Sequence, residues 1–365
     1  VHWDNAVTAA LAHLARLIRR GRVWILVFWA IAAAVLVPQA RKVGSRLEVG
    51  VRMEDSPAAS VDRDLARRFH SRFVHRVVLV LSGIPDPVLP EGRAALEEIV
   101  AAVKAVPGVA GTLSYLDSPE PLFRGREGGF LLVGFDSGKE PAENLMIPLR
   151  RATTAVQAAL SARYPSANLG WTGEIPLNVD MRKASSDDAR AAERRALPVA
   201  LLLLVAGFGS IVAALLPVAV GILAVMFTLG VAALLARSLH LSIFVENIAS
   251  MIGLGIGIDY ALLLVSRFRE SLARKHAPIL AVEDCLPRAG QTLLMSALPV
   301  GIGFGALLTM PTADFRSIGA AGMLVTFFTL LLALTLLPAV LAVLGKAVDA
   351  GRVVRRNGSH HEHRS

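Results

Sequence analysis

Asp259 and Tyr260 stand side by side within an apolar run, Ala249-Ser-Met-Ile-Gly253-Leu-Gly255-Ile-Gly257-Ile-Asp259-Tyr260-Ala-Leu262. A carboxylate near the middle of a membrane helix costs about 2.5–3.5 kcal/mol on insertion scales. It persists where it has a partner, a proton or a water-lined path. Burial disfavours the charged form and raises a carboxyl pKa, which brings proton loading and release within range. The plainer reading of Asp259 is a neutral acid that hydrogen-bonds a neighbour. Tyr260 points about 100° round the helix from Asp259, so its phenol suits an aspartate on a different, symmetry-related helix better than its own neighbour.

The small residues around this pair divide into two kinds. Ala249, Gly253 and Gly257 recur every four residues, a small-xxx-small line that admits another helix backbone. Gly255 is off that line, one turn before Asp259, and leaves space for water or a partner side chain. Glu246 and Asn247 lie near the outer end of the same span, where Glu246 reads as an interfacial residue with a relay role as the alternative. Ser296, in the following span, reads as a hydroxyl bonded back onto its own helix. Thr326 and Thr329, in the last span, read as hydroxyls bonded back onto their own helix.

These residues need a membrane scaffold, and the composition supplies one. Of 365 residues 54% are hydrophobic, and the mean hydropathy is +0.55, which excludes an ordinary soluble domain. The net charge of +9 comes from basic residues that lie mostly beside apolar spans, so membrane topology rather than nucleic acid explains it. The single cysteine, Cys285, makes no internal disulfide and has no metal-ligand spacing around it. No metal cluster, nucleophile–base pair or phosphate loop stands out, so neither an enzyme nor a cofactor is expected; protons are the coupling ion.

The expected order is as follows. Residues 1–21 form an amphipathic helix at the membrane surface, with Val7, Leu11, Leu14 and Ile18 near one face. Residues 22–38 form the first span. Residues 39–195 form an extracytoplasmic domain with helices at 58–72, 92–106 and 144–163 and strands at 76–82, 130–135 and 167–172. An extra strand near 109–115 makes it a split β-α-β, ferredoxin-like α+β fold. A bundle at 196–345 holds five further spans, about 197–216, 218–236, 241–266, 289–310 and 317–344, with a tight turn at Pro217. The fold class is therefore an α-helical polytopic membrane protein of six transmembrane helices with one inserted domain. Basic residues in the 267–288 loop and after 345 place both termini on the cytoplasmic side of the cell membrane. The tail, 346–365, is basic, with His360, His361 and His363 reading as unstructured rather than metal-binding.

The stretch Met251–Glu270 resembles the fourth membrane helix of the MMPL branch of the RND transporters. Ala289-Gly-Gln-Thr-Leu-Leu-Met-Ser296-Ala-Leu-Pro-Val resembles the family's fifth helix. Phe315-Arg-Ser-Ile-Gly319 and Leu334-Thr-Leu-Leu-Pro338 resemble its sixth, and Phe208-Gly-Ser-Ile-Val-Ala-Ala-Leu-Leu-Pro217 the second-to-third turn. The resemblance implies a bundle related to the sterol-sensing domain, a porter domain over 39–195, and proton-driven export of lipids or other hydrophobic molecules. It implies that Asp259 and Tyr260 belong to the proton relay, with Ser296 close by. Family members carry two such halves with facing Asp-Tyr pairs, and this sequence holds one. The second is expected from a second copy or a separately encoded half, with Asp259 of each facing Tyr260 of the other in an isologous dimer. A non-transporting lipid- or sterol-binding module and an inactive half remain the alternatives.

Overall fold

Helical and alternating hydrophobic patterns divide the chain into two regions. In the computed structural model these fold as separate units, residues 1–51 with 185–365 and residues 52–184. The structure describes residues 2–45, 47, 61, 64, 68, 73, 75–125, 128–135, 142–239, 241–275 and 277–351. The helix expected at 58–72 falls mostly outside the described residues, as does the histidine-containing tail from 352 onward.

Helix α1, His2–Ala40, is kinked at Gly21. Before the kink, Leu11, Ala15 and Ile18 are buried at the spacing of one helix face. Leu11 lies against Gly290, and Arg19 pairs with Glu283 at 3.1 Å. The apolar stripe expected to rest on a membrane surface is thus buried against the protein itself. Beyond the kink Val23, Trp24, Phe28, Ile31 and Val35 form an exposed apolar face. Trp29 turns the other way. It stacks on Phe227 at 5.3 Å, and its Nε1 donates to Thr335 Oγ1 at 3.0 Å.

The 52–184 unit is an antiparallel sheet covered on one face by helices. Strand β1, Arg76–Ser82, leads to α2, Pro90–Lys104, and β2, Val109–Leu113. A short β3, Arg124–Gly125, precedes β4, Gly128–Phe135. Helix α3, Ala142–Ser161, and β5, Asn168–Thr172, complete it. The strand order is β2-β4-β1-β5, with β3 on the β4 edge. Leu79 pairs with Leu131 on one side and Trp171 on the other, so one sheet face carries Val77, Leu79, Leu81, Leu131 and Val133. That face packs on Ile99 and Val103 of α2 and Met146 and Leu149 of α3 in a single buried cluster.

Helix α4, Glu174–Phe208, is polar to about residue 195 and apolar after it. It does not continue to 216. The chain turns at Gly209, which takes the left-handed φ of +65°, and Ser210 caps helix α5, Ile211–Leu235, by accepting from the Ala213 amide. Pro217, expected at the turn, sits inside α5. The break falls where a positive-φ glycine and a capping serine adjoin, not at the proline.

Helix α6, Phe244–Lys275, and helix α7, Pro278–Leu307, replace the expected 267–288 loop with a tight helical hairpin. Arg267, Arg269 and Arg274 suggested a loop, yet Leu264, Phe268 and Leu272 of α6 and Ala281, Val282, Cys285 and Leu286 of α7 are buried at helical spacing. The charges occupy the outer face of helices whose inner face is packed. Helix α8, Ala313–Leu334, gives way at Thr335 (φ −121°, ψ −61°) to the short α9, Leu336–Leu344. Pro338 lacks the N–H that would reach the Leu334 carbonyl, and its ring crowds that position, which divides the last expected span in two.

Among the described residues five stretches are long and apolar enough to cross a membrane: the main parts of α1, α5, α6 and α7, and α8 with α9 taken together. At one end of this bundle Arg269 donates to Asp349 Oδ1 and to the Phe208 carbonyl, each at 2.8 Å. Ser210 Oγ lies 2.8 Å from the carbonyls of Val348 and Ala350. The α4–α5 turn, α6 and the segment after α9 are tied together there.

Candidate functional site in the membrane bundle

The glycine pattern of α6 sorts its faces. A Cβ on Gly253 would lie 2.5 Å from a Val325 methyl of α8 and 2.8 Å from one of Val225 of α5; a Cβ on Gly257 would lie 2.5 Å from Gly221 Cα. Ala249 is fully buried on the same stripe. This line is where α5 and α8 close on α6. A Cβ on Gly255 would meet nothing within 4 Å, and Gly255 is exposed.

Asp259 is exposed as well. It shares the open face with Gly255, with Met251 (70% exposed) and with Leu262 (38%). Among the described residues it makes no hydrogen bond or ion pair. Tyr260, by contrast, is 8% exposed and lies in the main buried cluster with Ala261, Leu264 and Leu332. The adjacent residues therefore sit in different surroundings, the carboxylate on the open face and the tyrosine ring in the buried cluster. Cross-pairing of Asp259 with the Tyr260 of a second copy is not pre-formed in the single chain.

Ser296 of α7 is also exposed. Counted from the hairpin turn between Lys275 and Pro278, it stands within about 3 Å of the level of Asp259 along the bundle. Glu246 and Asn247 are in the first turn of α6, about 20 Å of helix from Asp259. Asn247 donates to Ser185 Oγ and Glu246 lies beside Gly44, so neither is brought to the carboxylate. Thr326 donates to the Gly322 carbonyl at 2.7 Å, the back-bond expected of it. Thr329 does not: its Oγ1 is buried without a hydrogen bond, and the register of α8 on α6, which shows what it faces, is not visible in sequence. No group of three or more His, Cys, Asp or Glu close enough to hold a metal occurs among the described residues.

An open carboxylate at mid-helix, a small-residue seam behind it and an inserted α+β unit carry the resemblance into three dimensions. The sequence pattern of the MMPL family matches residues 133–363. The chain belongs to the MMPL family. It is a membrane protein of a transporter family, and the relatives it matches are named as exporters and transport proteins rather than enzymes. The trehalose monomycolate exporter MmpL3 of Mycobacterium tuberculosis is 39% identical over 188 residues, 52% of this chain and 20% of that protein. The mycolic acid-containing lipids exporter MmpL11 of Mycolicibacterium smegmatis is 26% identical over 347 residues, 92% of this chain and 35% of the relative. The hedgehog release protein Disp of the water bear Hypsibius dujardini shares the fold, with a TM-score of 0.61 at 16% identity over 93% of this chain and 50% of that one. The MMPL chain thus matches about a third or less of the length of these curated relatives.

Proposed function

We propose that this MMPL chain is one half of a proton-driven exporter of lipid-like amphiphiles. The observation that carries the reading is Asp259, a carboxylate on the open apolar face of a spanning helix with no hydrogen bond or ion pair among the described residues. Facing lipid, it would carry the insertion penalty of about 2.5–3.5 kcal/mol without compensation. A second six-helix half covering that face, from a second copy or from a separately encoded half, removes the carboxylate from lipid and gives it a site in which to load and release a proton. The apolar end of α4 serves as the second of six spans. The β-α-β-β-α-β unit is read as a ferredoxin-like porter domain outside the cell, with both termini inside. The names of the relatives point to long-chain acyl lipids as substrates.

The test is transport of trehalose monomycolate in proteoliposomes under an imposed pH gradient. Asp259→Asn is expected to abolish transport while expression and melting temperature stay at wild-type level. Wild-type transport by that variant overturns the proposal.

A further inference from the structure

Among the described residues of the bundle unit, the Thr312 and Thr329 hydroxyls are buried without a hydrogen bond, and only Thr329 lies within a helix. Thr228 donates to Ala224 O at 2.8 Å, Thr326 to Gly322 O at 2.7 Å and Thr335 to Leu331 O at 2.6 Å. Thr329 is 0% exposed, and its hydroxyl makes no hydrogen bond among the described residues. Leaving a buried hydroxyl unpaired costs about 1–3 kcal/mol.

Register identifies what it faces. The Ser242 amide donates to Ser317 Oγ at 3.1 Å, and Gly253 lies on Val325. Both anchors advance in the same sense, so α6 and α8 run parallel. Thr329, four residues beyond Val325, is then level with Gly257, four beyond Gly253. Tyr260 is seven residues beyond Gly253, on the same face two turns on. Gly257 leans towards α5, where it meets Gly221, which leaves Tyr260 on the α8 side of that face. Helix side chains lean towards the N-terminus, over the preceding turn, so the phenol is carried back towards the level of Thr329. Between Ser250 and Ser271, Tyr260 is the one polar side chain on the buried face of α6 among the described residues.

We propose that Thr329 is a positioning residue for Tyr260, its hydroxyl linked to the phenol through one trapped water. Thr329 touches neither proton nor substrate; it sets the rotamer of the phenol next to Asp259. Its functional importance rests on the relay reading above, whereas the bond itself does not.

Two measurements on the full chain separate these. In detergent, thermal unfolding is followed for Tyr260→Phe, Thr329→Val and the double variant, together with the ultraviolet resonance Raman bands of tyrosine. The double variant is expected to lose no more stability than the worse single one. Thr329→Val is expected to shift the tyrosine bands, Thr329→Ser to restore them, and Thr326→Val to leave them alone. Additive losses with unmoved bands overturn the pair. In proteoliposomes holding trehalose monomycolate, proton uptake is read from an entrapped pH-sensitive dye. Thr329→Val is expected to slow it about tenfold, the rate equivalent of roughly one hydrogen bond, with Thr329→Ser close to wild type. Wild-type uptake by Thr329→Val overturns the positioning role. If Asp259→Asn transports normally, the relay reading falls and the positioning role with it, while the Raman and unfolding data still decide the bond.

Discussion

Asp180 and Asp259 are the same chemical group in opposite circumstances. Asp180 lies in the 52–184 unit, where water would solvate it, and still receives both arms of the Arg150 guanidinium at 2.6 and 2.8 Å. Asp259 stands in an apolar helix, where an unpaired charge is costly, and receives no hydrogen bond or ion pair among the described residues. A carboxylate paired where pairing gains little is structure. One left bare where bareness is expensive marks a place where something else must come, whether a proton, water or a second chain. Arg269, about 15 Å along the same helix from Asp259, makes the same point from the other side: it is held by Asp349 and the Phe208 carbonyl.

The largest effect expected from breaking this contrast is on transport. Asp259→Asn removes the proton carrier and abolishes the activity, while its melting temperature should stay at the wild-type level. A melting temperature well below wild type would show that Asp259 has a structural partner. Next comes the seam behind it. Gly257→Leu drives a side chain into the Gly221 backbone, 2.5 Å from the Cβ position, where no flexible group can give way. Overpacking typically costs about 1–3 kcal/mol and more against backbone, so a loss of folded protein on size-exclusion chromatography is expected. Gly255→Ala, two residues earlier on the open face, should change the stability of the single chain by less than about 0.5 kcal/mol. Equal damage from both would dissolve the distinction between the seam and the open face.

Arg269→Ala ranks below these. It leaves Asp349 without its guanidinium partner and the Phe208 carbonyl without its donor. Hydrogen bonds of charged groups contribute about 1.5–3 kcal/mol, and both side chains of the ion pair are largely buried, at 23% and 30% exposure. A drop in melting temperature is expected, partly recovered by Arg269→Lys, which keeps the charge but not the fork. An unchanged melting temperature would remove the latch as a structural element.

What sequence could show divides along the same line. A carboxylate among glycines is legible because the residue types alone are improbable in a membrane helix. The strands of the 52–184 unit are legible because the β-branched apolar run at β1 and the extra strand at 109–113 are local patterns. The placement of the α4–α5 break was not, because Pro217 is the more conspicuous helix breaker, while Gly209 and Ser210 act through a dihedral angle and a cap. The α6–α7 hairpin is hidden by its arginines: charge density suggests a loop, while the buried period runs on through Phe268 and Cys285. Burial of the first stripe of α1 and the unpaired hydroxyl of Thr329 depend on which helix lies opposite, and one chain's periodicity does not carry that information.

The smallest expected effect belongs to Asp180. The Arg150 side chain, by hydrogen bonding first and charge second, holds its carboxyl below the ordinary value of 3.8. A carboxylate with a lowered folded-state pKa contributes stability that is fully present above the unfolded value and fades as pH falls through the folded one. Wild type should therefore exceed Asp180→Asn near neutral pH; the difference should begin to fade as pH falls below about 4 and close once pH is below the folded value. Both side chains are well exposed, at 36% and 54%, so solvent screening keeps the gain below about 1 kcal/mol. Hydrogen–deuterium exchange of amides 174–184 in the full chain, near the start of α4, reads the effect locally at pH 7 and pH 3.5. Faster exchange in Asp180→Asn at pH 7, and a smaller difference at pH 3.5, is the expected result. A difference that grows as the pH falls would mean that Asp180 is stabilised in its protonated form, the state proposed for Asp259 during its proton cycle, and the contrast between the two aspartates would lose its basis.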